Sequence, residues 1–146
     1  MQDLPHHYRV AATAGTEGTI TLSTAGVADL RSAAPAEFGG PGDQWSPESL
    51  LVAAVADCFV LSFRAVATAS RVNWNTIACE VKGKLERIER DIQFTEFAVS
   101  VTLDVPPTTD EAKARRALQK AEKVCLITNS LKADSQLTET IRTSMA

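Results

Sequence analysis

Trp45-Ser46-Pro47-Glu48-Ser49-Leu50-Leu51-Val52-Ala53-Ala54-Val55-Ala56-Asp57-Cys58-Phe59-Val60-Leu61-Ser62-Phe63-Arg64-Ala65-Val66 is the run around which the rest of the chain is organised. Ser46 supplies a side-chain oxygen for free backbone N–H groups, Pro47 suits a first helical position, and Glu48 favours the positive end of the helix dipole. From Leu50 to Val66 only Asp57, Ser62 and Arg64 interrupt the apolar residues, which suits a helix packed on several sides. A membrane span needs roughly 20 largely uncharged residues, and Asp57 and Arg64 fall inside a shorter stretch, so this helix is expected at the centre of a globular protein.

Working outward, residues 8–14 and 19–24 carry β-branched and aromatic residues on either side of Gly15-Thr16-Glu17-Gly18, a strand, a tight turn and a returning strand. A short third strand is expected around Val27–Ser32, and Pro35 through Gly42 is irregular chain. Beyond the helix, Val72–Glu86 and Gln93–Val105 read as two long strands joined by a charged turn, Arg87-Ile88-Glu89-Arg90-Asp91. After Pro106-Pro107, Thr108 or Thr109 is expected to cap a helix reaching about Lys123, with Ala114, Ala117, Leu118 and Ala121 as its apolar stripe. Residues 125–132 suggest a further short helical piece, and Gln136–Thr143 a closing strand with Leu137 and Ile141 on one side. The class is α+β, and 146 residues, 45% of them apolar, make a single domain over 1–146.

The 15 basic residues against 18 acidic ones give no electrostatic reason to expect nucleic acid or an anionic membrane as partner. The start, Met1-Gln2-Asp3-Leu4-Pro5-His6-His7, lacks the basic end and apolar run of a secretory signal, so a cytoplasmic location with reduced cysteines is expected. Three cysteines without a Cys-x-x-Cys, and a His6-His7 pair whose neighbours point to opposite sides of an extended segment, make neither a disulfide framework nor a metal site. No cofactor is implied.

What remains is thiol chemistry. Cys58 lies within the central helix; Cys125 follows the charged helix at a break where backbone N–H groups could help stabilise a thiolate. Cys79 alternates with Ile77 and Val81 on one side of a strand, opposite Glu80, and is assigned to the core. Asp57 is an awkward neighbour for an ionising thiol, but it points about 100° away around the helix.

Trp45-Ser46-Pro47-Glu48-Ser49-Leu50-Leu51 followed by Ala53-Ala54-Val55-Ala56-Asp57-Cys58-Phe59 resembles the central-helix motif of the OsmC/Ohr family. Ala121-Glu122-Lys123-Val124-Cys125 with Asn129-Ser130-Leu131-Lys132 is similar to that family's stretch around its second cysteine, and Pro35-Ala36-Glu37-Phe38-Gly39-Gly40 to its approach to the helix. The resemblance covers almost the whole chain, with the two cysteine motifs 67 positions apart. It implies an OsmC-like fold: antiparallel sheets wrapped around a long central helix in an intertwined homodimer, with active sites at the subunit interface. It also implies a reaction. Cys58 thiolate attacks an organic hydroperoxide, releases an alcohol and becomes a sulfenic acid, which Cys125 resolves as a disulfide; a dithiol, lipoyl-bearing in Ohr-type relatives, resets the pair.

A free cysteine is only a few per cent ionised at neutral pH, so a cation is needed beside Cys58. Ohr-type relatives supply an arginine from the N-terminal hairpin, held by a glutamate that matches Glu48. This chain keeps Glu48 but has Thr16 at the hairpin turn; Arg31 is the first replacement candidate, with Arg9 and Arg64 behind it. Glu48 and Cys58, ten positions apart, lie about 15 Å apart along a helix and on different faces, so Glu48 is expected to serve Cys58 of a partner copy. Phe59, Phe63, Phe38 and Trp45 are candidates for an apolar entrance, although such residues are more often core. Leu126-Ile127 replaces the Pro-Val that commonly follows the second cysteine. The rival function is an OsmC-like protein that binds a small apolar ligand and has lost efficient peroxide reduction, which the missing hairpin arginine favours.

Overall fold

The protein is described by a computed structural model over Met1–Met145. Its contacts divide the chain into two compact units, Met1–Leu50 and the part from Leu51 onward. The first unit holds β1 (Ala11–Thr13), β2 (Ile20–Ser23) and β3 (Leu30–Ser32) in one antiparallel sheet. The expected hairpin is present with shorter strands, and Gly18 takes a φ of 88° in its turn, which a side chain would resist. A single 3-10 turn, Ala36–Phe38, breaks the stretch expected to be irregular. Beyond it Trp45 bridges to Ser32, with the Ala33 N–H donating to the Trp45 carbonyl at 2.8 Å.

The helix α1 (Pro47–Ser70) begins where the sequence places it. The Ser49 N–H donates to Ser46 Oγ at 3.1 Å and the Ser46 N–H donates back to Ser49 Oγ at 2.9 Å, a reciprocal cap built from two serines. Arg71, at a φ of 55°, ends the helix in the left-handed conformation, and Val72 N–H reaches back to the Ala67 carbonyl. At 24 residues the helix is longer than the apolar stretch read from sequence, and by length and composition alone it could cross a membrane. Its Val55, Phe59, Phe63, Val66 and Ala67 are nevertheless buried against protein.

The second sheet orders β4 (Thr76–Ile88), β5 (Asp91–Val105) and β6 (Asp134–Thr143). Several boundaries differ from the sequence reading. The residues from Val72 to Asn75 precede β4 rather than opening it. The charged segment expected as a turn is mostly strand: Ile88 pairs with Asp91, leaving only Glu89 and Arg90 between, and Glu89 adopts a φ of 58°. The helix α2 (Glu111–Val124) is capped by Asp110, whose carboxylate accepts from the Ala112 and Lys113 N–H groups, and not by a threonine. The Thr109 hydroxyl instead donates to the Asn73 carbonyl.

The expectation of antiparallel sheets also needs correction. β6 runs parallel to β5, with Val99 opposite Leu137 and Leu103 opposite Ile141. The chain between them passes through α2 and α3 (Leu126–Asn129), a crossover long enough to return in the same direction. In β5, Phe97, Val99, Val101, Leu103 and Val105 are buried at period two, the signature of one face on a core. They form one hydrophobic cluster with the buried face of α1 and with Ala114, Ala117, Leu118 and Ala121 of α2. Burying each of the larger side chains contributes about 1.5–3 kcal/mol. Gly83 is part of this packing, since a Cβ there would stand 2.8 Å from both Val52 Cγ2 and Phe94 Cε1.

Candidate active site

Cys58 sits in α1 one position before the buried Phe59, on the flank of the buried face, and is itself half-buried. Its sulfur lies 3.9 Å from Ser62 Oγ, one helical turn on. Asp57 is exposed. Arg64, six positions on, lies about 120° further around the helix and does not share the thiol's face.

Cys125 occupies the joint between α2 and α3, as the sequence break indicates. Its backbone is pinned: the N–H donates to the Glu122 carbonyl, and its own carbonyl accepts from the Asn129 N–H and the Thr128 hydroxyl. The side chain makes no capping hydrogen bond to α3, so the help expected from backbone N–H groups is not given to the sulfur. Only 1% of Cys125 is exposed. It lines a tight recess, with no room for a water molecule, together with Val55, Phe59, Val99, Glu122 and Thr128. Val55 and Phe59 stand three positions before and one after Cys58. The segment of α1 that carries the first thiol is therefore the wall against which the second one rests, although Cys58 does not itself line the recess.

Cys79 packs against the core, and burial, followed by the nearby Cys125, pushes its thiol up to about 11. At neutral pH it stays protonated. All three cysteines are free thiols.

Glu48 lies in the first unit, partly buried, with Oε1 buried and without a hydrogen-bond partner among the described residues. Thr16, Arg9 and Arg31 are exposed, and Arg31 is paired in the sheet opposite Thr21. Of the four aromatic residues considered for an entrance, Phe59 and Phe63 are core residues at 1% and 0% exposure, while Phe38 and Trp45 are exposed. A separate cavity of about 240 Å³ is walled by Leu51, Phe94, Phe97 and Leu131, with Gln93 and Lys132 also lining it. His6 is exposed and its ring meets the Gln2 carbonyl. Among the described residues no group of three or more His, Cys, Asp or Glu side chains is placed to hold a metal ion.

Sequence reasoning passed over Ser62 and Glu122. The spacing of Ser62 from Cys58 was readable, as was the position of Glu122 three before Cys125, but neither residue type announces a role without the packing.

The model of the OsmC-like protein family matches residues 40–140. Over 136 residues, 89% of each chain, the sequence is 28% identical to an organic hydroperoxide resistance protein of Xanthomonas axonopodis pv. citri. It is 23% identical to an uncharacterised protein, YmaD, of Bacillus subtilis, over 90% of each chain. An OsmC-like protein of unknown function from Vibrio cholerae superposes with a TM-score of 0.84 at 16% identity, covering 92% of this chain and 99% of that one. A Legionella pneumophila organic hydroperoxide resistance protein superposes at 0.75 with 22% identity, covering 96% and 99%. These structures share the mixed α+β fold with its long helix and two sheets. With that fold, and with the family pattern matched across well over half of its length, this chain belongs to the OsmC/Ohr family.

Proposed function

We propose that the protein reduces organic hydroperoxides to alcohols, with Cys58 as the attacking thiol and Cys125 as the resolving one. The observation that carries this reading is the packing of buried Cys125 against Val55 and Phe59, the residues that bracket Cys58 on α1. The name of the Xanthomonas relative, an organic hydroperoxide resistance protein, supports the same class of substrate.

In the proposed cycle the Cys58 thiolate attacks the terminal peroxide oxygen, the O–O bond breaks, and the alkoxide leaves as an alcohol after taking a proton. The resulting sulfenic acid is displaced by Cys125, giving a disulfide and water. A dithiol, of which a dihydrolipoyl protein is the proposed form, then exchanges both sulfurs back to thiols. A cytoplasmic setting, where thiols are kept reduced, suits this cycle. The working unit is a homodimer: Leu61 on α1 is 54% exposed, and Ala53, Ala54 and Val60 are only half-buried, which leaves apolar helix surface for a second copy. In that dimer Glu48 of one copy serves Cys58 of the other, its unpartnered oxygen holding the cation that ionises the thiol. Arg31 is the proposed cation.

Wild-type protein with dihydrolipoamide is expected to consume cumene hydroperoxide at least about tenfold faster than hydrogen peroxide, a preference worth about 1.4 kcal/mol of barrier. A second reading is favoured by Thr16, which stands exposed at the hairpin turn where Ohr-type relatives place an arginine. In it the protein binds a small apolar ligand without efficient turnover. Absence of turnover by the wild type with either peroxide would leave that reading in place of the enzyme.

A further inference from the structure

The inward side of β6 carries Ser135, Leu137 and Glu139, and the flank of α2 that meets it carries Glu111, Arg115 and Glu122. Glu139 is held through one oxygen: Arg115 Nη1 donates to its Oε1 at 3.2 Å and Gln119 Nε2 at 3.1 Å, while Arg115 Nη2 reaches Glu111. Its other oxygen, Oε2, is buried without a hydrogen-bond partner among the described residues, and so is Oε2 of Glu122. Glu122 in turn lines the recess that contains Cys125, whose α1 walls, Val55 and Phe59, are apolar. A buried carboxylate oxygen without a partner is costly as an anion, which makes it a ready proton acceptor.

We propose that Glu122 is the proton-transfer residue for Cys125. This rests on the peroxidase reading given above. As Cys125 attacks the Cys58 sulfenic acid, its S–H proton passes to the Glu122 carboxylate. The new S–S bond forms, the S–O bond of the sulfenic acid breaks, and the departing hydroxide takes the proton from Glu122 and leaves as water. The Cys58 sulfur is reduced and the Cys125 sulfur oxidised, so the step needs no further oxidant. In the return direction Glu122 supplies the proton to the Cys125 thiolate released by the dithiol.

The charges around Glu122 agree with this role. Burial first, and then the carboxylate of Glu139, push Glu122 above its ordinary value, while Lys123 on its own helix pulls the other way. Glu111 and Arg115 complete the charged flank of α2, and β4 contributes the protonated thiol of Cys79, which lies near Cys125. An acid with a raised folded value gives its full stability below the unfolded value and loses it as pH rises through the folded one. Glu122→Gln is therefore expected to melt no lower than wild type at pH 7, so the variant remains available for the test.

The test is closure of the Cys58–Cys125 disulfide in a Cys79→Ser background, followed by quenched intact mass, driven in parallel by cumene hydroperoxide and by diamide. Glu122→Gln is expected to slow closure about a hundredfold at pH 7, the scale of general acid–base help, while dimedone trapping shows Cys58 oxidised by the peroxide at the wild-type rate. Its closure rate should then climb with the ordinary thiol ionisation near pH 8.5, having lost the lower inflection of the wild type. Glu139→Gln removes a like charge, so the inflection should move to lower pH. Closure of Glu122→Gln at the wild-type rate, or an inflection unmoved in Glu139→Gln, overturns the proposal. Failure of the peroxide arm alone removes the peroxidase reading, while the diamide arm still decides whether Glu122 ionises Cys125.

Discussion

Cys58→Ser is expected to abolish hydroperoxide turnover, by at least about a thousandfold, or about 4 kcal/mol of barrier. A serine hydroxyl keeps the size of the side chain and its position beside Ser62, but it neither ionises near neutral pH nor accepts oxygen to form a sulfenic acid. Cys125→Ser should behave differently. It leaves the first oxidation intact and stops the cycle, because the sulfenic acid has no second thiol to close on. Cys79→Ser is the control and should turn over like wild type, since burial pushes that thiol up to about 11 and keeps it protonated. Steady-state peroxide consumption by the three variants checks the assignment. Equal loss in Cys79→Ser and Cys58→Ser would mean that the thiols act through the fold rather than through chemistry.

Phe63→Ala is expected to cost about 3–5 kcal/mol of stability. Phe63 is fully buried on α1 and meets Trp74 edge-on, with ring centroids 5.4 Å apart and planes at 68°. Removal of the ring deletes that pair and leaves a cavity at the junction of α1 with the core. Against a total of about 5–15 kcal/mol, such a loss is a large share, and for a chain of this size it lowers the melting temperature by about 10–15 °C. Phe38→Ala, at an exposed position, should change stability by about 0.5 kcal/mol at most. Thermal melts followed by circular dichroism compare the two. Similar melting temperatures for both variants would contradict the placement of Phe63 in the core.

The start of α1 was legible because its signals are local: a serine cap, a proline and an acid in consecutive positions. The cap of α2 was misplaced for a reason that is not local. Thr109 has the right chemistry for a cap, but its hydroxyl goes to the Asn73 carbonyl, 36 positions away, and Asp110 takes over. The turn after β4 was read in place but too long, because Glu89 holds a left-handed backbone that glutamate does not advertise. Strand direction was equally out of reach for β6, since alternation of Leu137 and Ile141 looks the same in parallel and antiparallel pairing. Of the candidate site, the two cysteine motifs were readable from residue type and order, and Glu48 only from the family resemblance. The surroundings of Glu122 were not, because they exist only once β6 brings Glu139 to Arg115 and Gln119 of α2.

The central claim is that Cys58 is oxidised and Cys125 closes onto it, and intact mass after one equivalent of cumene hydroperoxide tests it most directly. In the Cys79→Ser protein the mass should fall by about 2 Da as a disulfide forms, whereas with Cys125 also replaced by serine it should rise by about 16 Da as a sulfenic acid. Unchanged mass in both proteins, or a rise of about 16 Da when Cys58 is the residue replaced by serine, would contradict the account.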